Sequence, residues 1–308
     1  MIITVTFNPS LDKIMEAPNF AVGQTLKART IRRQPAGKGV NVSRCIAALG
    51  GHSIATGFLG LPEMAAFEQS FLPAEATLNF VTVPGDTRQN ITIRDPNEGT
   101  ETHLREEGFT VGEEDVVALR DKLDTMLKPG DIVLFGGSLP AGMRAKHLVQ
   151  FVGQCKAAGC SVALDTSGPA LAEAVKAGCW MAKPNRTELE EMAGGTADSD
   201  SRVVKAAARL LRRVEILLVT LGEEGAWCFT KERRWKASVT VDHVQNTVGA
   251  GDAFLAGFIV SFTAGQPLDG CLRTAVACGA ASTQQQWAGV IDPATVESLA
   301  KEVRIDQF

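Results

Sequence analysis

A stretch late in the chain, Asn246–Phe254, combines the residue types that phosphoryl transfer requires. It reads Asn-Thr-Val-Gly-Ala-Gly-Asp-Ala-Phe, a glycine-rich turn that leads into an apolar, helix-like segment. Glycine lets the backbone approach a ligand closely, and the unpaired N–H groups at a helix start bind anions. Asp252 stands at that start, where it could take a proton from a hydroxyl that attacks a phosphate. The pattern indicates phosphoryl transfer to an alcohol, although an aspartate here could equally cap the helix.

A second glycine-rich turn, Pro35–Asn41, opens a predicted helix over 40–49 and carries Lys38. A lysine supplies a point charge for a phosphate. Two helix-start anion sites fit a reaction that joins two phosphorylated molecules, whereas Lys38 taken alone is more simply a surface lysine. Neither turn is a known nucleotide motif. The chain contains no Walker A sequence, and Gly249–Phe254 lacks the third glycine of a dinucleotide fingerprint and lies far from the first strand.

The length and composition of the chain argue against several classes of protein and of binding partner. The chain has 308 residues, of which 45% are hydrophobic, and this length suits one large α/β domain over 1–308. A net charge of −4, no tyrosine and few aromatic residues argue against a nucleic-acid partner. No apolar run is long enough for a membrane span and no signal peptide is evident, so we expect a cytoplasmic protein. The seven scattered cysteines indicate reduced core residues, and the four histidines have no metal-ligand spacing.

Apolar strands and amphipathic helices alternate from about residue 131 onward, which predicts βαβ units around a parallel sheet. Polar residues follow five predicted strands: Asn8, Ser138, Asp165, Asn185 and Thr220. Ligands of such sheets bind outside the carboxyl ends of the strands, so these residues are expected to share one rim.

Two further stretches predict a small additional sheet. Residues 11–34 show no helical period, and 80–83, 90–94 and 100–104 alternate as strands between turn signals. We expect about 11–34 and 80–105 to form a lid over one edge of the main sheet. Its apolar residues Val81, Val83, Ile91 and Ile93 favour pairing with a second copy.

Several motifs occur together in one order and resemble the PfkB-type, ribokinase-like carbohydrate kinases. They are Gly37–Asn41, Thr87–Asn90, Gly137–Pro140, Asp165–Gly168, Lys183–Leu189, Leu221–Ala226 and Thr247–Asp252, within a match from Phe7 to Asp292. The resemblance implies a three-layer α/β/α fold with a mainly parallel central sheet and a small β-sheet lid.

The resemblance also implies a role for each matching residue. Asp252 would be the base, and Gly249, Ala250 and Gly251 the anion hole for the transferring phosphoryl group. Sugar hydroxyls would be bound by Asp12, Gly37 and Asn41, and the phosphate of the sugar by Lys38, Arg88, Asn90 and Ser138. His103 stands where some relatives have an arginine directed at that phosphate, so its role stays open. ATP would lie along Lys183, Asn185, Thr220, Gly222 and Gly225, with adenine near Ala277, Gly279 and Gln285. Asn185 and Glu188 would organise Mg²⁺ through water.

Within the family, the sequence is most similar to kinases that act on fructose 1-phosphate. This implies ATP-dependent phosphorylation of the C6 hydroxyl, with Mg²⁺ and with the need for a monovalent cation left open. Tagatose 6-phosphate or fructose 6-phosphate as the acceptor is the near alternative. A sugar-phosphate sensor without catalysis is the alternative of another class, and a nicotinamide dehydrogenase is disfavoured by the missing fingerprint. Relatives often pair lid to lid, which also favours a homodimer.

Overall fold

The computed structural model describes residues 1–71 and 76–308. Its strands are β1 (Ile2–Thr6), β2 (Ser10–Glu16), β3 (Arg29–Ala36), β4 (Ser53–Gly60), β5 (Ala76–Leu78), β6 (Val81–Val83), β7 (Gln89–Asp95), β8 (Thr100–Arg105), β9 (Ile132–Gly136), β10 (Ser161–Asp165), β11 (Cys179–Ala182), β12 (Val214–Thr220), β13 (Ala226–Phe229), β14 (Arg234–Ser238) and β15 (Arg304–Gln307). Its helices are α1 (Lys38–Ala48), α2 (Met64–Gln69), α3 (Glu113–Met126), α4 (Ala145–Ala157), α5 (Gly168–Lys176), α6 (Arg186–Ala193), α7 (Asp200–Leu210), α8 (Ala250–Thr263), α9 (Leu268–Thr283) and α10 (Pro293–Glu302).

The main sheet runs in the order β5-β4-β1-β9-β10-β11-β12-β13-β14-β15. The strands from β5 to β12 are parallel, and the last three are antiparallel additions at one edge. The parallel strands are short apolar runs, such as the fully buried Ile132–Gly136, because helices cover both faces of the sheet. The predicted parallel sheet is confirmed.

Helices form a layer on each face of this sheet. On one face, α1, α8, α9 and α10 bury side chains such as Ile46, Phe258 and Leu272 against the strands. On the other face, α3, α4, α5 and α7 contribute Leu123, Phe151 and others to a second core. The three-layer α/β/α architecture is therefore confirmed. All seven cysteines are buried and free, as their apolar settings predict.

The small sheet consists of four strands in the order β3-β2-β7-β8. Its central pair, β2 and β7, is parallel, and each outer strand is antiparallel to its neighbour. One expectation for this sheet is wrong: Val81–Val83 pairs with β4 at the edge of the main sheet. Val83 is buried in the core and Val81 packs against it, so neither is an apolar residue of the small sheet.

The carboxyl ends of the parallel strands lie together at one rim of the sheet. The strand order reverses at β1, because β4 pairs with one side of β1 and β9 pairs with the other side. Crevices at such points are the usual ligand sites of open α/β sheets. Among residues 1–71 and 76–308, no helix combines the length and the hydrophobicity needed to cross a bilayer.

Candidate active site

The start of α8 is shaped by a glycine that no other residue could replace without strain. Gly249 caps the helix with φ of 84°, a left-handed conformation. A Cβ at this position would lie 3.0 Å from Cβ of Ala288 and 3.1 Å from N of Gly289. The tight turn brings Ala250 and Gly251, the first two residues of α8, to the wall of a large cavity. The predicted anion-hole residues thus stand at a helix start that opens on a cavity.

Asp252 lies in the first turn of α8 and is only 6% exposed. Its Oδ2 accepts a hydrogen bond of 2.8 Å from Nδ2 of Asn41, which comes from α1. Burial and the nearby Asp165 carboxylate raise the pKa of Asp252 to about 6, against the opposing effects of Lys38, Asn41 and Lys183. A carboxylate of this kind is ionised at neutral pH and is basic enough to accept a proton from an alcohol. Asn41, which we expect to bind the sugar, also holds this carboxylate in place.

Two lysines meet on one buried carboxylate beside Asp252. Oδ1 of Asp165 lies 2.9 Å from Nζ of Lys38 and 3.2 Å from Nζ of Lys183. Burial would raise the pKa of Asp165, but the two ammonium groups outweigh it and hold that pKa below its ordinary value. Lys183 also lies near Gly251, where a Cβ would be 3.2 Å from its Nζ. Asp165 therefore joins the two lysines next to the anion-hole turn.

The predicted phosphate-binding residues gather around Asn8 and Pro9, just beyond β1. Arg88 donates from Nη2 to the Asn8 carbonyl at 3.2 Å and from Nε to the Pro9 carbonyl at 3.3 Å. Nδ2 of Asn8 lies 3.5 Å from Oγ of Ser138. Gly37, with φ of 127°, packs so closely that a Cβ would be 3.1 Å from Cα of Pro9. Arg88, Ser138 and the Gly37 turn thus share one rim with the α8 start.

One face of the small sheet is polar and contacts the loop before α8. Register places Asp12, Asn90 and His103 on this face. Nδ2 of Asn90 donates to Oδ1 of Asp12 at 2.9 Å, and Nδ1 of His103 lies 3.1 Å from Oγ1 of Thr92. Asp12 and His103 line a narrow crevice together with Asn246. His103 is 43% exposed in this crevice and lies with Asp12 on the site side of the sheet.

A cavity of about 1030 Å³ extends from the α8 start toward β12 and β14. Its lining includes Asn185, Thr220, Gly222, Gly225 and Gly279, all predicted to bind ATP. Val239, Val241, Val244, Phe254 and Val276 give it an apolar wall of the kind that suits a purine ring.

Two residues predicted near adenine do not line this cavity. Ala277 is fully buried in the core, because the cavity side of α9 is the face that carries Val276, Gly279, Ala280 and Thr283. Gln285 lies just past the end of α9, where its N–H bonds to the Ser282 carbonyl.

Asn185 and Glu188 form a capping box at the start of α6. Oδ1 of Asn185 accepts from N of Glu188, and Oε2 of Glu188 accepts from N of Asn185, both at 2.9 Å. Within residues 1–71 and 76–308, no group of three or more His, Cys, Asp or Glu side chains is placed to hold a metal. Mg²⁺ keeps several of its waters and prefers oxygen ligands, so an amide and a carboxylate at the cavity rim fit an ion bound through water.

The comparison with known families agrees with this geometry. The model of the pfkB family carbohydrate kinases matches residues 5–294, nearly the whole chain. The chain belongs to this family.

Individual pfkB relatives and solved structures are similar over their full lengths. The 1-phosphofructokinase of Bacillus subtilis (strain 168) is 33% identical over 310 residues, with 100% of each chain covered. Phosphofructokinase-2 from Escherichia coli in complex with potassium superposes with a TM-score of 0.92 at 26% identity, covering 97% of this chain and 98% of that one. The same enzyme in complex with fructose-6-phosphate gives a TM-score of 0.90 at 25% identity and the same coverage.

No local pattern in the sequence of this kinase indicates the contacts that Asp165 and Trp287 make. Asp165 was visible as a polar residue after a strand, but nothing local shows that two lysines meet on it. The guanidinium groups of Arg32 and Arg94 lie 4.8 and 5.8 Å from the centre of the Trp287 ring. The neighbouring Ala288 carbonyl accepts a bond from Gln34. These contacts join the small sheet to the loop that packs on Gly249, and no sequence pattern indicates them.

Proposed function

We propose that this protein transfers the γ-phosphoryl group of ATP to the C6 hydroxyl of fructose 1-phosphate, giving fructose 1,6-bisphosphate and ADP. The observation that carries the proposal is the placement of Asp252. It is buried in the first turn of α8, whose residues Ala250 and Gly251 line the 1030 Å³ cavity, and it accepts a hydrogen bond from α1, the helix that Lys38 begins. Membership of the family and the likeness to the Bacillus subtilis 1-phosphofructokinase support it.

In the proposed reaction, Asp252 accepts the hydroxyl proton while the sugar oxygen bonds to the γ-phosphorus and the bond to the β-phosphate oxygen breaks. Asn41 keeps the carboxylate directed at the substrate. The helix start at Gly249–Gly251 and the ammonium of Lys183 stabilise the charge on the transferring group. When bound at Asn185 and Glu188 through water, Mg²⁺ supplies further neutralisation of the ATP phosphates.

The sugar phosphate is proposed to bind with its phosphate against Arg88, Lys38, Ser138 and Asn90. Burial lowers the pKa of Arg88, and Asp12 opposes that effect, but the guanidinium stays charged at any working pH. The small sheet would then act as a lid over the sugar, with Asp12 and Asn90 on its inner face.

The choice among sugar phosphates depends on ring orientation. In a fructofuranose ring, C1 and C6 lie on carbons that flank the ring oxygen, so either can face Asp252 while the other carries the phosphate. The likeness to phosphofructokinase-2 in complex with fructose-6-phosphate keeps that substrate as the second candidate. A coupled ADP-release assay with fructose 1-phosphate, fructose 6-phosphate and tagatose 6-phosphate decides the acceptor. The highest kcat/KM with fructose 1-phosphate is expected, and a higher value for another sugar would reassign it.

The same assay separates a kinase from a sugar-phosphate sensor. A sensor would bind one of these sugars, seen as a change in tryptophan fluorescence, without releasing ADP. Omission of Mg²⁺ should abolish turnover, and replacement of potassium by choline tests a monovalent cation. The complex of the Escherichia coli enzyme with potassium supports that second test.

We also propose that two copies pair through the outer face of the small sheet. Register places Leu11, Met15, Ile91, Ile93 and Leu104 together on the face opposite Asp12, and Leu104 is 52% exposed. Pairing would remove this apolar area from water. Sedimentation should give a dimer, which Ile91→Asp converts to monomer while Val117→Asp, a change at an exposed position of α3, does not. A monomeric wild-type protein would contradict the proposal.

A further inference from the structure

We propose that Asp165 is a positioning residue, which holds the ammonium of Lys38 toward the phosphate of the sugar and that of Lys183 beside the transferring phosphoryl group. The inference rests on the proposed kinase function and adds to it a residue that contacts neither the sugar nor the α8 start. It is carried by one observation: two lysines from separate elements share one oxygen of a buried carboxylate.

Asp165 can hold both lysines because its own position is fixed by the backbone. It ends β10, and its carbonyl accepts from N of Gly137 at 3.0 Å, while the preceding Leu164 carbonyl accepts from N of Lys183 at 3.0 Å. The hydroxyl of Thr166 adds a bond of 2.6 Å to the Gly137 carbonyl. These backbone hydrogen bonds fix the main chain of Asp165 between β9 and β11, so its carboxylate has little freedom to move.

The lysines reach this carboxylate from two sides of the site. Lys38 begins α1, whose first turn packs on Gly136, where a Cβ would be 3.2 Å from Cβ of Lys38. Lys183 follows β11 and is only 5% exposed. A lysine side chain has many rotamers in water. Because both lysines form ion pairs with the same buried carboxylate, the conformations of both side chains are restricted.

The charges of this cluster balance. Asp165 and Asp252 bring two negative charges, and Lys38 and Lys183 bring two positive ones. Oδ1 of Asp165 contacts both ammonium groups. Its Oδ2 is buried and has no hydrogen-bond partner within the described residues. Without Asp165, two ammonium groups would remain in a buried site with a single carboxylate. Neutral asparagine at 165 would leave the lysines to repel each other and to move toward Asp252.

The test is Asp165→Asn, with Asp131→Asn as the matched control. Asp131 is also a buried carboxylate with an ammonium partner, the chain's own N-terminus at 2.8 Å. It directly precedes β9, so it lies at the amino ends of the parallel strands, whereas Asp165 lies at their carboxyl ends. We expect Asp165→Asn to lower kcat by roughly 10²-fold, the scale of a misplaced catalytic group, while Asp131→Asn lowers stability without changing kcat.

A double-mutant cycle with Lys183→Met distinguishes positioning from a general structural effect. If Asp165 acts through the lysine, the loss of kcat caused by Asp165→Asn is smaller in the Lys183→Met background than in the wild type. Independent, multiplicative losses would overturn the inference. So would a kcat for Asp165→Asn within about 2-fold of wild type, a result that leaves the proposed kinase function intact.

A readout without turnover keeps the two proposals separable. The ionisation of Asp252 can be followed by carboxyl ¹³C NMR in both proteins. The charged and titratable groups around Asp252 are Asp165, Lys38, Lys183 and Cys45. Removing the Asp165 charge and freeing both lysines should move the Asp252 titration to lower pH. An unchanged titration overturns the inference, whereas wild type inactive on all three sugars overturns only the kinase proposal.

Discussion

Replacement of Asp252 by asparagine should remove activity and stabilise the fold at the same time. The carboxylate is buried, and its pKa is raised from the ordinary 3.8 to about 6. A group whose pKa is higher in the folded protein than in the unfolded chain disfavours folding once the pH exceeds both values. The difference of about two pK units corresponds to roughly 3 kcal/mol at neutral pH. Asparagine avoids this cost and can still accept the hydrogen bond from Asn41.

The stability gain should depend on pH in a defined direction. At pH 8 the wild-type carboxylate is ionised in both states and the cost is complete. Near pH 5 it is largely protonated in the folded protein only, and roughly half of the cost is gone. For a chain of this size, 3 kcal/mol corresponds to an increase in Tm of roughly 4–5 °C at pH 8. Differential scanning fluorimetry of both proteins between pH 5 and 8 measures the difference.

Turnover should fall by at least about 10²-fold in the same variant, because asparagine cannot accept the proton, while ATP binding stays close to that of the wild type. Asp165→Asn provides the contrast in stability. Its pKa is lowered rather than raised, so loss of its charge should destabilise the protein. Near-normal turnover of Asp252→Asn would refute the role of the base. A lower Tm at pH 8 would refute the desolvation argument, even if activity were lost.

Three further predictions concern recognition, pH and the glycine turn. Arg88→Ala should raise KM for the sugar phosphate by about 10-fold or more, the scale of one charged hydrogen bond, with a smaller effect on KM for ATP; an unchanged KM for the sugar would remove Arg88 from the site. In wild type, kcat/KM should fall as the pH drops through about 6, because Asp252 must be ionised to act as a base; a profile that is flat between pH 5 and 8 would contradict this. Gly249→Ala should lower both Tm and kcat, since a left-handed residue would gain a Cβ 3.0 Å from Ala288. Gly265→Ala, with φ of 77° and open space around it, controls for backbone strain alone, and equal effects of the two changes would show that the close packing is unimportant.

Much of the fold and part of the site could be predicted because the signals are local. The sequence predicts alternating strands and helices from about residue 131, and the structure begins this alternation with Ile132–Gly136 and Ala145–Ala157. Apolar runs and helical spacing depend on neighbouring residues only. The turn before Asp252 was visible for the same reason. A glycine with positive φ and a carboxylate in the next helical turn lie within a few residues of each other.

Other features required contacts that no local pattern contains. The short run Val81–Val83 alternates like its neighbours, and only the position of β4 decides that it joins the main sheet. Val276 and Ala277 are consecutive residues of α9, so their side chains point in different directions from the helix. Only the packing of α9 decides that Val276 faces the cavity and Ala277 does not.

The amino-acid sequence alone determined the parallel sheet, the two glycine turns and the residue that serves as candidate base. Tertiary structure decided how the charges of the site are arranged. Lys38, Asp165, Lys183 and Asp252 are separated by up to 214 positions along the chain. Both lysines nevertheless lie about 3 Å from Asp165, and the pKa values of Asp165 and Asp252 depend on this arrangement. Electrostatic energy in a buried site depends on those distances and on the exclusion of water, and both arise only when the chain has folded.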